Sequence, residues 1–285
     1  MKRLAAATLV ALACAATATA GELPKTDVKI AAQVPAKIRA KGTLVVATAA
    51  TYAPNEFILP NGHVILGMDP DLTRALAPVM GLRVRFVNVT FDTILPGVAS
   101  DRYDLGISSI TDTKARQKLV DFVDYFSAGT AFFVKANAGP VIKSPADLCG
   151  RTVAVVAGTT QAADAQAQDT ACARAGKRDV TVAVFPDQIG AQVAIESSDT
   201  AVGMADSPVA AYIVKQSHGL LELTGKTYGT APYGIALPKG NGMAKAVLDA
   251  LNKLIADGTY QAILAKWGTQ AGAITNPQVS PRSMP

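Results

Sequence analysis

Residues 82–118 read LRVRFVNVTFDTILPGVASDRYDLGISSITDTKARQK. In LRVRFVNV (82–89) apolar and polar side chains alternate, the period of a half-buried strand. FDTILPGVASD (91–101) reads as a helix and YDLGIS (103–108) as a second strand. Strand, helix and strand in succession build a mostly parallel sheet with helices on its faces. The remainder, SSITDTKARQK (108–118), begins at the carboxyl end of the second strand, where open α/β sheets bind ligands. Its hydroxyls read as a helix start, yet Arg116 stands where a capping box would place an acid. Three roles are open to it: an ordinary helix start, a basic patch for nucleic acid, or a clamp for a small anion.

The same rhythm runs outward in both directions. Upstream, TLVVAT (43–48) is a short strand, and DPDLTRALAPVMG (69–81) is a helix opened by Asp and closed by Gly, with Pro78 expected to kink its last turn. Downstream it restarts: strands RTVAVVAG (151–158), VTVAVF (180–185) and TAVGMA (200–205) alternate with helices at 159–176, 187–197 and 206–217. GTAFFVKA (129–136) and APYGIALP (231–238) are strands flanking this second unit, and two helices, 242–258 and 259–268, follow. Two α/β units therefore stand in series. Residues 21–37 show no period and read as a linker, and 272–285 read as a loose polar tail.

Composition narrows the function. The chain has 285 residues, 49% of them apolar and 17% charged, which supplies a sizeable core and excludes disorder. Lys2 and Arg3, the apolar run LAAATLVALACAA and the small residues Ala18 to Ala20 have the layout of a cleaved secretory signal peptide over residues 1–20. A lipid anchor at Cys14 is the alternative; a lipobox wants Leu three residues earlier, where this chain has Ala11. Cleavage would take the formal charge from +5 to +3 (+5 − 2), too small and too scattered for a nucleic-acid partner. It would also leave Cys149 and Cys172, which in an exported chain form a disulfide closing a loop of about 22 residues, worth roughly 3 kcal/mol. His63 and His218 lie in no metal-ligand spacing, and GKT (225–227) lacks the phosphate-loop glycine, since position 220 is Leu. No cofactor is expected.

The residues at the strand ends are complementary as a set. GTTQ (158–161) opens a helix whose N-terminal N–H groups favour an anion. Arg116 grips carboxylates with parallel hydrogen bonds, Asp206 accepts from a cation, and Tyr52 and Phe91 offer flat apolar faces. Together they describe a pocket for a zwitterion: carboxylate to Arg116 and Thr160, ammonium to Asp206, side chain between two rings. Taken singly each has an ordinary role, Asp206 as an N-cap, Arg116 as a surface charge, Thr111 and Thr113 as caps, Phe91 as core.

The chain resembles the family 3 extracellular solute-binding proteins, the polar amino acid receptors of ABC importers. GTLVVATAATYAPNEF, GMDPDL, FDTILPGVASDRYDLGISSITDTKARQKLVDFVDYF, GTTQ, VGMAD and DGTYQAILAKWG carry the resemblance, in order, across roughly 38–268. It implies an α/β fold of two lobes, each a mostly parallel sheet flanked by helices, joined by two crossing strands as a hinge. Lobe 1 would be 38–130 plus 236–271 and lobe 2 131–235. It implies that Arg116, Thr111 and the Thr160 amide hold a ligand α-carboxylate with Gln161 beside them. Asp206 and Ser109 would hold the α-ammonium, and Tyr52 and Phe91 would sandwich the side chain. A monomeric periplasmic receptor, a free amino acid ligand and an inner-membrane ABC permease follow as expectations.

Two departures bear on the ligand. Lysine-type receptors of the family carry Asp three residues before the pocket tyrosine, where this chain has Ala49, and Asn55 replaces a common aromatic. Glu56 is the remaining acidic candidate, so a neutral polar amino acid is favoured and a basic one stays open. An offshoot of the family, the cyclohexadienyl dehydratases, uses a pocket glutamate three residues after the Asp206 position; Val209 stands there and cannot transfer a proton, so a binding protein rather than an enzyme is expected.

Overall fold

The structure, a computed structural model, describes residues 24–198 and 201–280. The expected signal peptide, Cys14, Thr200 and the tail beyond Ser280 lie outside the described residues.

The segment expected to be a linker is helical. Helices α1 (Val28–Gln33) and α2 (Ala36–Lys41) flank Pro35, and the Asp27 carboxylate caps α1 by accepting from the Lys29 and Ile30 N–H groups at 3.0 and 3.3 Å. Ile30, Val34 and Ile38 recur every fourth residue and are buried, a spacing that Pro35 disguises in the sequence.

Strand β1 (Thr43–Thr48) leads into a small antiparallel sheet of β2 (Thr51–Tyr52), β3 (Glu56–Ile58) and β4 (Ile65–Leu66). Helix α3 (Met68–Val79) follows and keeps Pro78 inside its last turn. It buries Met68, Leu72, Leu76 and Val79 in a core shared with β1 and the C-terminal helices. Strand β5 (Arg83–Asn88) pairs parallel to β1, helix α4 (Phe91–Ala99) crosses the sheet, and β6 (Leu105–Gly106) pairs parallel to the other side of β1.

The chain then crosses to the second half on β7 (Val120–Lys135), far longer than the eight residues expected there. Strand β8 (Thr152–Val156), helix α5 (Thr160–Arg174), β9 (Thr181–Phe185), α6 (Gln188–Glu196), β10 (Ala201–Asp206) and α7 (Ser207–Gln216) repeat the α/β rhythm. The return strand β11 (Leu221–Pro238) is again longer than expected, and α8 (Ala244–Ala256) and α9 (Thr259–Trp267) close the first core. The tail adds β12 (Val279–Ser280), which pairs with β7 through Val279 and Val123, so this part of it is not loose.

The strand order is β5-β1-β6-β11-β7-β10-β8-β9. The outer three on each side are parallel, and β11 and β7 pair antiparallel through the middle. This is the two-lobed α/β architecture, with β7 and β11 as the two crossing strands. Their pairing slips three times, between Thr224 and Tyr228, Tyr228 and Ala231, and Tyr233 and Gly234. Gly225 and Gly229 take left-handed φ values of 70° and 62° inside the broken stretch. A ladder interrupted there bends more readily than a continuous one.

Cys149 and Cys172 are bonded, as expected, tying the 3₁₀ turn at Pro145–Leu148 to the last turn of α5. Reduction is expected to destabilise the protein by about 3 kcal/mol, because the bond closes a sequence separation of 23 residues. Denaturant melts with and without reductant, alongside thiol labelling, measure this; two free thiols in protein purified without reductant would overturn it.

Candidate ligand-binding site

Where β1 ends, side chains take over its backbone partners. The Ala49 N–H donates to Ser108 Oγ at 3.0 Å and the Ala50 N–H to Asn88 Oδ1 at 2.8 Å. The ladder therefore stops, which is why β6 holds two residues rather than the six expected, and 107–116 turns into a cleft between the halves. Ser109 sits at φ 51°, a left-handed conformation that few side chains adopt and that clusters at functional sites. The helix expected to start in 108–118 is only a 3₁₀ turn at Arg116–Lys118, cut short because the β7 pattern VDFVDYF begins two residues later at Val120.

The cleft holds about 420 Å³, its mouth included, and is lined by Tyr52, Glu56, Phe91, Ser109, Thr111, Arg116, Thr160, Gln161 and Asp206 among others. Nine of the ten residues expected at the site thus come together. Asn55 does not reach it: fully buried behind the wall, it donates from Nδ2 to Ser109 Oγ at 2.8 Å, and so braces the site rather than lining it.

Arg116 is held on three sides. Nη1 donates to the Thr111 carbonyl at 2.8 Å, Nη2 crosses the cleft to the Gly158 carbonyl at 3.0 Å, and the guanidinium lies 5.5 Å from the centre of the Phe91 ring. Two of its five N–H donors are used, leaving three for a carboxylate. Burial lowers its pKa, and the nearby Asp206 and Asp112 charges oppose the shift. Facing it, α5 begins. Thr159 caps the helix by accepting from the Ala162 N–H at 3.1 Å, so the N–H groups of Thr160 and Gln161, which have no acceptor within the helix, are left to the cleft.

Asp206 occupies the N-cap position of α7 but makes no cap hydrogen bond. Its Oδ1 accepts from Gln161 Nε2 at 2.8 Å, and Gln161 is itself braced on Thr130 Oγ1 at 2.9 Å. Gln161 therefore positions the carboxylate of Asp206. The Asp206 N–H donates to the Tyr52 hydroxyl at 2.9 Å, a second bond across the cleft. Burial pushes the Asp206 pKa up to about 6, against the pull of its hydrogen bonds and of Arg116. The Tyr233 hydroxyl lies near the same carboxylate without a hydrogen bond of good geometry.

Glu56 is 1% exposed and faces the cleft from β3. Its Oε1 accepts from Ser108 Oγ at 2.7 Å, the same hydroxyl that takes the Ala49 N–H, so Glu56 stands beside the position where Ala49 lacks an acid. Behind it lies Asp69, at the start of α3. Asp69 accepts from the Tyr125 hydroxyl at 2.8 Å and from the Ser109 N–H at 2.7 Å. The two carboxyls are within hydrogen-bonding reach, and burial together with the neighbouring Asp69 charge raises the Glu56 pKa well above the carboxylate range. Gly67 makes the arrangement possible. At φ 131° it lets the Met68 and Asp69 N–H groups reach the Pro54 and Asn55 carbonyls, and a Cβ there would lie 2.2 Å from the Asn55 oxygen.

Sequence reasoning passed over two groups. Asp69 has only the signature of a helix-opening acid. Gln188, which directly follows the β9–α6 connection, lines the cleft at 3% exposure with no partner for its Nε2. Reading every residue after a strand's carboxyl end, as was productive for Thr160 and Asp206, would have found it.

A two-lobed α/β protein with paired acid and base groups in its central cleft has the build of a solute receptor, and comparison with known proteins agrees. The profile of the bacterial extracellular solute-binding proteins, family 3, matches residues 44–270, and the chain belongs to that family. The arginine-binding protein ArgT of Corynebacterium glutamicum is 33% identical over 247 residues, covering 86% of this chain and 81% of that one. The L-cystine-binding protein TcyJ of Escherichia coli is 29% identical over 238 residues, covering 81% and 84%. An ancestral arginine-binding protein solved with arginine bound superposes with a TM-score of 0.72 at 37% identity, covering 79% of this chain and 98% of that one.

Arg116→Ala is expected to lower affinity for an amino acid ligand about 100-fold or more, measured by calorimetry, because the ligand carboxylate would be buried unpaired. Unchanged affinity would remove Arg116 from the site. An ammonium needs Asp206 ionised, so affinity should fall as pH drops through about 6, approaching tenfold per pH unit below it. Asp206→Asn should bind weakly and lose that pH dependence.

Proposed function

We propose that this chain is an exported receptor that captures a free amino acid with a cationic side chain and delivers it to an inner-membrane ABC permease. The ligand α-carboxylate sits on Arg116 and the Thr160 and Gln161 N–H groups, with Thr111 beside them. The α-ammonium sits on Asp206 and Ser109. The side chain passes Tyr52 and Phe91 toward Glu56. One observation carries the side-chain assignment: Arg116 and Asp206 balance the two charges of the α-carbon end, and the Glu56–Asp69 carboxyl pair, Glu56 in the cleft wall and Asp69 behind it, remains as buried negative charge. A buried charge without a counterion is costly, and a cationic side chain supplies that counterion. Ala49 by itself speaks for a neutral ligand, but Glu56 on β3 brings an acid beside it, the two sharing the Ser108 hydroxyl. The arginine-binding relatives support this reading.

Lobe 1 would comprise 38–130 and 236–271, extended by α1 and α2, and lobe 2 131–235. Arg116 and Asp206 then come from opposite lobes, so the ligand closes the hinge by contacting both. The receptor works as a periplasmic monomer without a cofactor, its signal peptide removed. It is not an enzyme: Val209, at the position of the dehydratase acid, is fully buried in an apolar core with Ala205, Ala210 and Ile213, and prephenate should not be turned over.

Thermal melting against the twenty amino acids tests the assignment. Arginine or lysine at a hundred times its Kd should add about 2.7 kcal/mol and raise Tm. Stabilisation by neutral amino acids alone would overturn the side-chain assignment, and stabilisation by none would overturn the receptor.

A further inference from the structure

Glu56 lines the cleft and Asp69 lies directly behind it, two carboxyls where one counterion is expected. Glu56 and Asp69 come from β3 and α3, are 1% and 0% exposed, and converge on Ser109. The hydrogen bonds around them divide their roles. Asp69 receives the Ser109 N–H, which can only donate, together with the Tyr125 hydroxyl, so of the two it is the one placed to be the anion. Glu56 receives only hydroxyls, from Ser108 at 2.7 Å and Ser109 at 3.3 Å, and hydroxyls accept as readily as they donate. Two like charges buried this close cannot both ionise without a compensating cation. The other titratable groups around Glu56 are Asp69 on α3, Tyr125 on β7 and Tyr52 on β2, none of them a cation. Arg116, the one cation among the described residues that line the cleft, rests on Thr111, Gly158 and the Phe91 face and keeps its remaining donors for the ligand carboxylate. The missing cation can come only with the ligand.

We propose that the Glu56–Asp69 pair holds one proton while the cleft is empty and yields it to solvent when a cationic side chain enters, so that capture of a basic amino acid releases a proton and capture of a neutral one does not. The inference rests on the ligand orientation proposed above. In the empty cleft the Glu56 carboxyl carries the proton and donates it to Asp69. An arriving guanidinium or ammonium supplies the positive charge that lets Glu56 ionise beside Asp69, and the proton held between the two carboxyls leaves through the cleft water. The same pair then accepts two ligand classes at different pH. A neutral polar side chain meets an uncharged carboxyl whose proton is given to Asp69, and which still accepts from an amide N–H or a hydroxyl. A cationic one meets a carboxylate and is favoured as pH rises. Glu56 is thus the residue that sets side-chain charge preference, and proton activity sets how strongly.

Titration calorimetry of the full mature protein with arginine, in two buffers of different ionisation enthalpy from about pH 5 to pH 8, counts the protons released. Asp206 contributes its own release near pH 6 for any amino acid. The informative quantity is therefore arginine release minus that for glutamine, or minus that for arginine on Glu56→Gln if glutamine does not bind. The expected excess approaches one proton per arginine at some pH in that range, with arginine affinity rising up to about tenfold per pH unit there. Infrared difference spectra above about pH 7, where Asp206 is already ionised, give an independent readout: a protonated carboxyl band should vanish on adding arginine to the wild type and be absent from Glu56→Gln. Arginine binding tightly with no excess release and no loss of the band overturns the proton exchange while leaving the receptor assignment standing. Failure of both arginine and lysine to bind overturns the cationic side-chain assignment and the proton exchange with it.

Discussion

A single buried carboxylate, Asp69, holds the first half of the molecule in the shape its cleft requires. It reaches β7 through the Tyr125 hydroxyl, the loop after β6 through the Ser109 N–H, and β3 through Glu56. Burying a carboxylate this completely costs several kcal/mol unless its oxygens are satisfied, and each donor that satisfies it belongs to a different element. The cost therefore enforces geometry. Any packing of α3 that moved Asp69 away would strand a charge, and any path of 107–110 that turned Ser109 out of its left-handed conformation would remove a donor. The strain at Ser109 and the close approach at Gly67 are kept because the same carboxylate offsets both.

From this constraint the site follows in steps. Ser109, pinned by its N–H, aims the loop toward Arg116, whose guanidinium then settles on Thr111, Phe91 and the opposite half. The second half answers with α5 and β10, which end at the cleft because parallel strands deliver their carboxyl ends to one edge. Gln161 spans Thr130 and Asp206, linking the crossing strand β7 to the cleft-facing acid. Charges that looked like an ordinary surface residue and an ordinary cap in isolation are oriented toward one another by hydrogen bonds to atoms far away in the chain.

Much of this was readable from residue order. Strand β1 has the bounds its apolar run predicts, and the helices of the second unit fall within a residue or two of their patterns, because local periodicity and burial agree there. The crossing strands were under-read: in VDFVDYFSAGTAFFVK acids and small residues interrupt the apolar run, and only pairing with a second long strand makes the whole segment extended. Helices α1 and α2 were hidden by a proline between them. The orientation of Glu56 was not legible, since what turns it inward is Ser108 and Ser109, more than fifty positions away, and a carboxyl partner on another element. Asp69 was visible only as an acid opening a helix, and nothing in its neighbours along the chain distinguishes a solvated cap from a buried hub.

The bonds from Tyr52 to the Asp206 N–H and from Arg116 to the Gly158 carbonyl cross the cleft between protein groups alone. In the hinge closure proposed above they belong to the closed arrangement, with or without a ligand inside. Their free energy therefore enters the equilibrium between open and closed forms before any amino acid arrives, and the apparent dissociation constant is the intrinsic one divided by the closed fraction. Every 1.4 kcal/mol that such contacts contribute raises capture about tenfold while the open form still predominates, and no further once it does not. The same contribution must be overcome when cargo is surrendered. The strength of two hydrogen bonds that never touch the ligand thus sets a balance between scavenging at low concentration and letting go on demand.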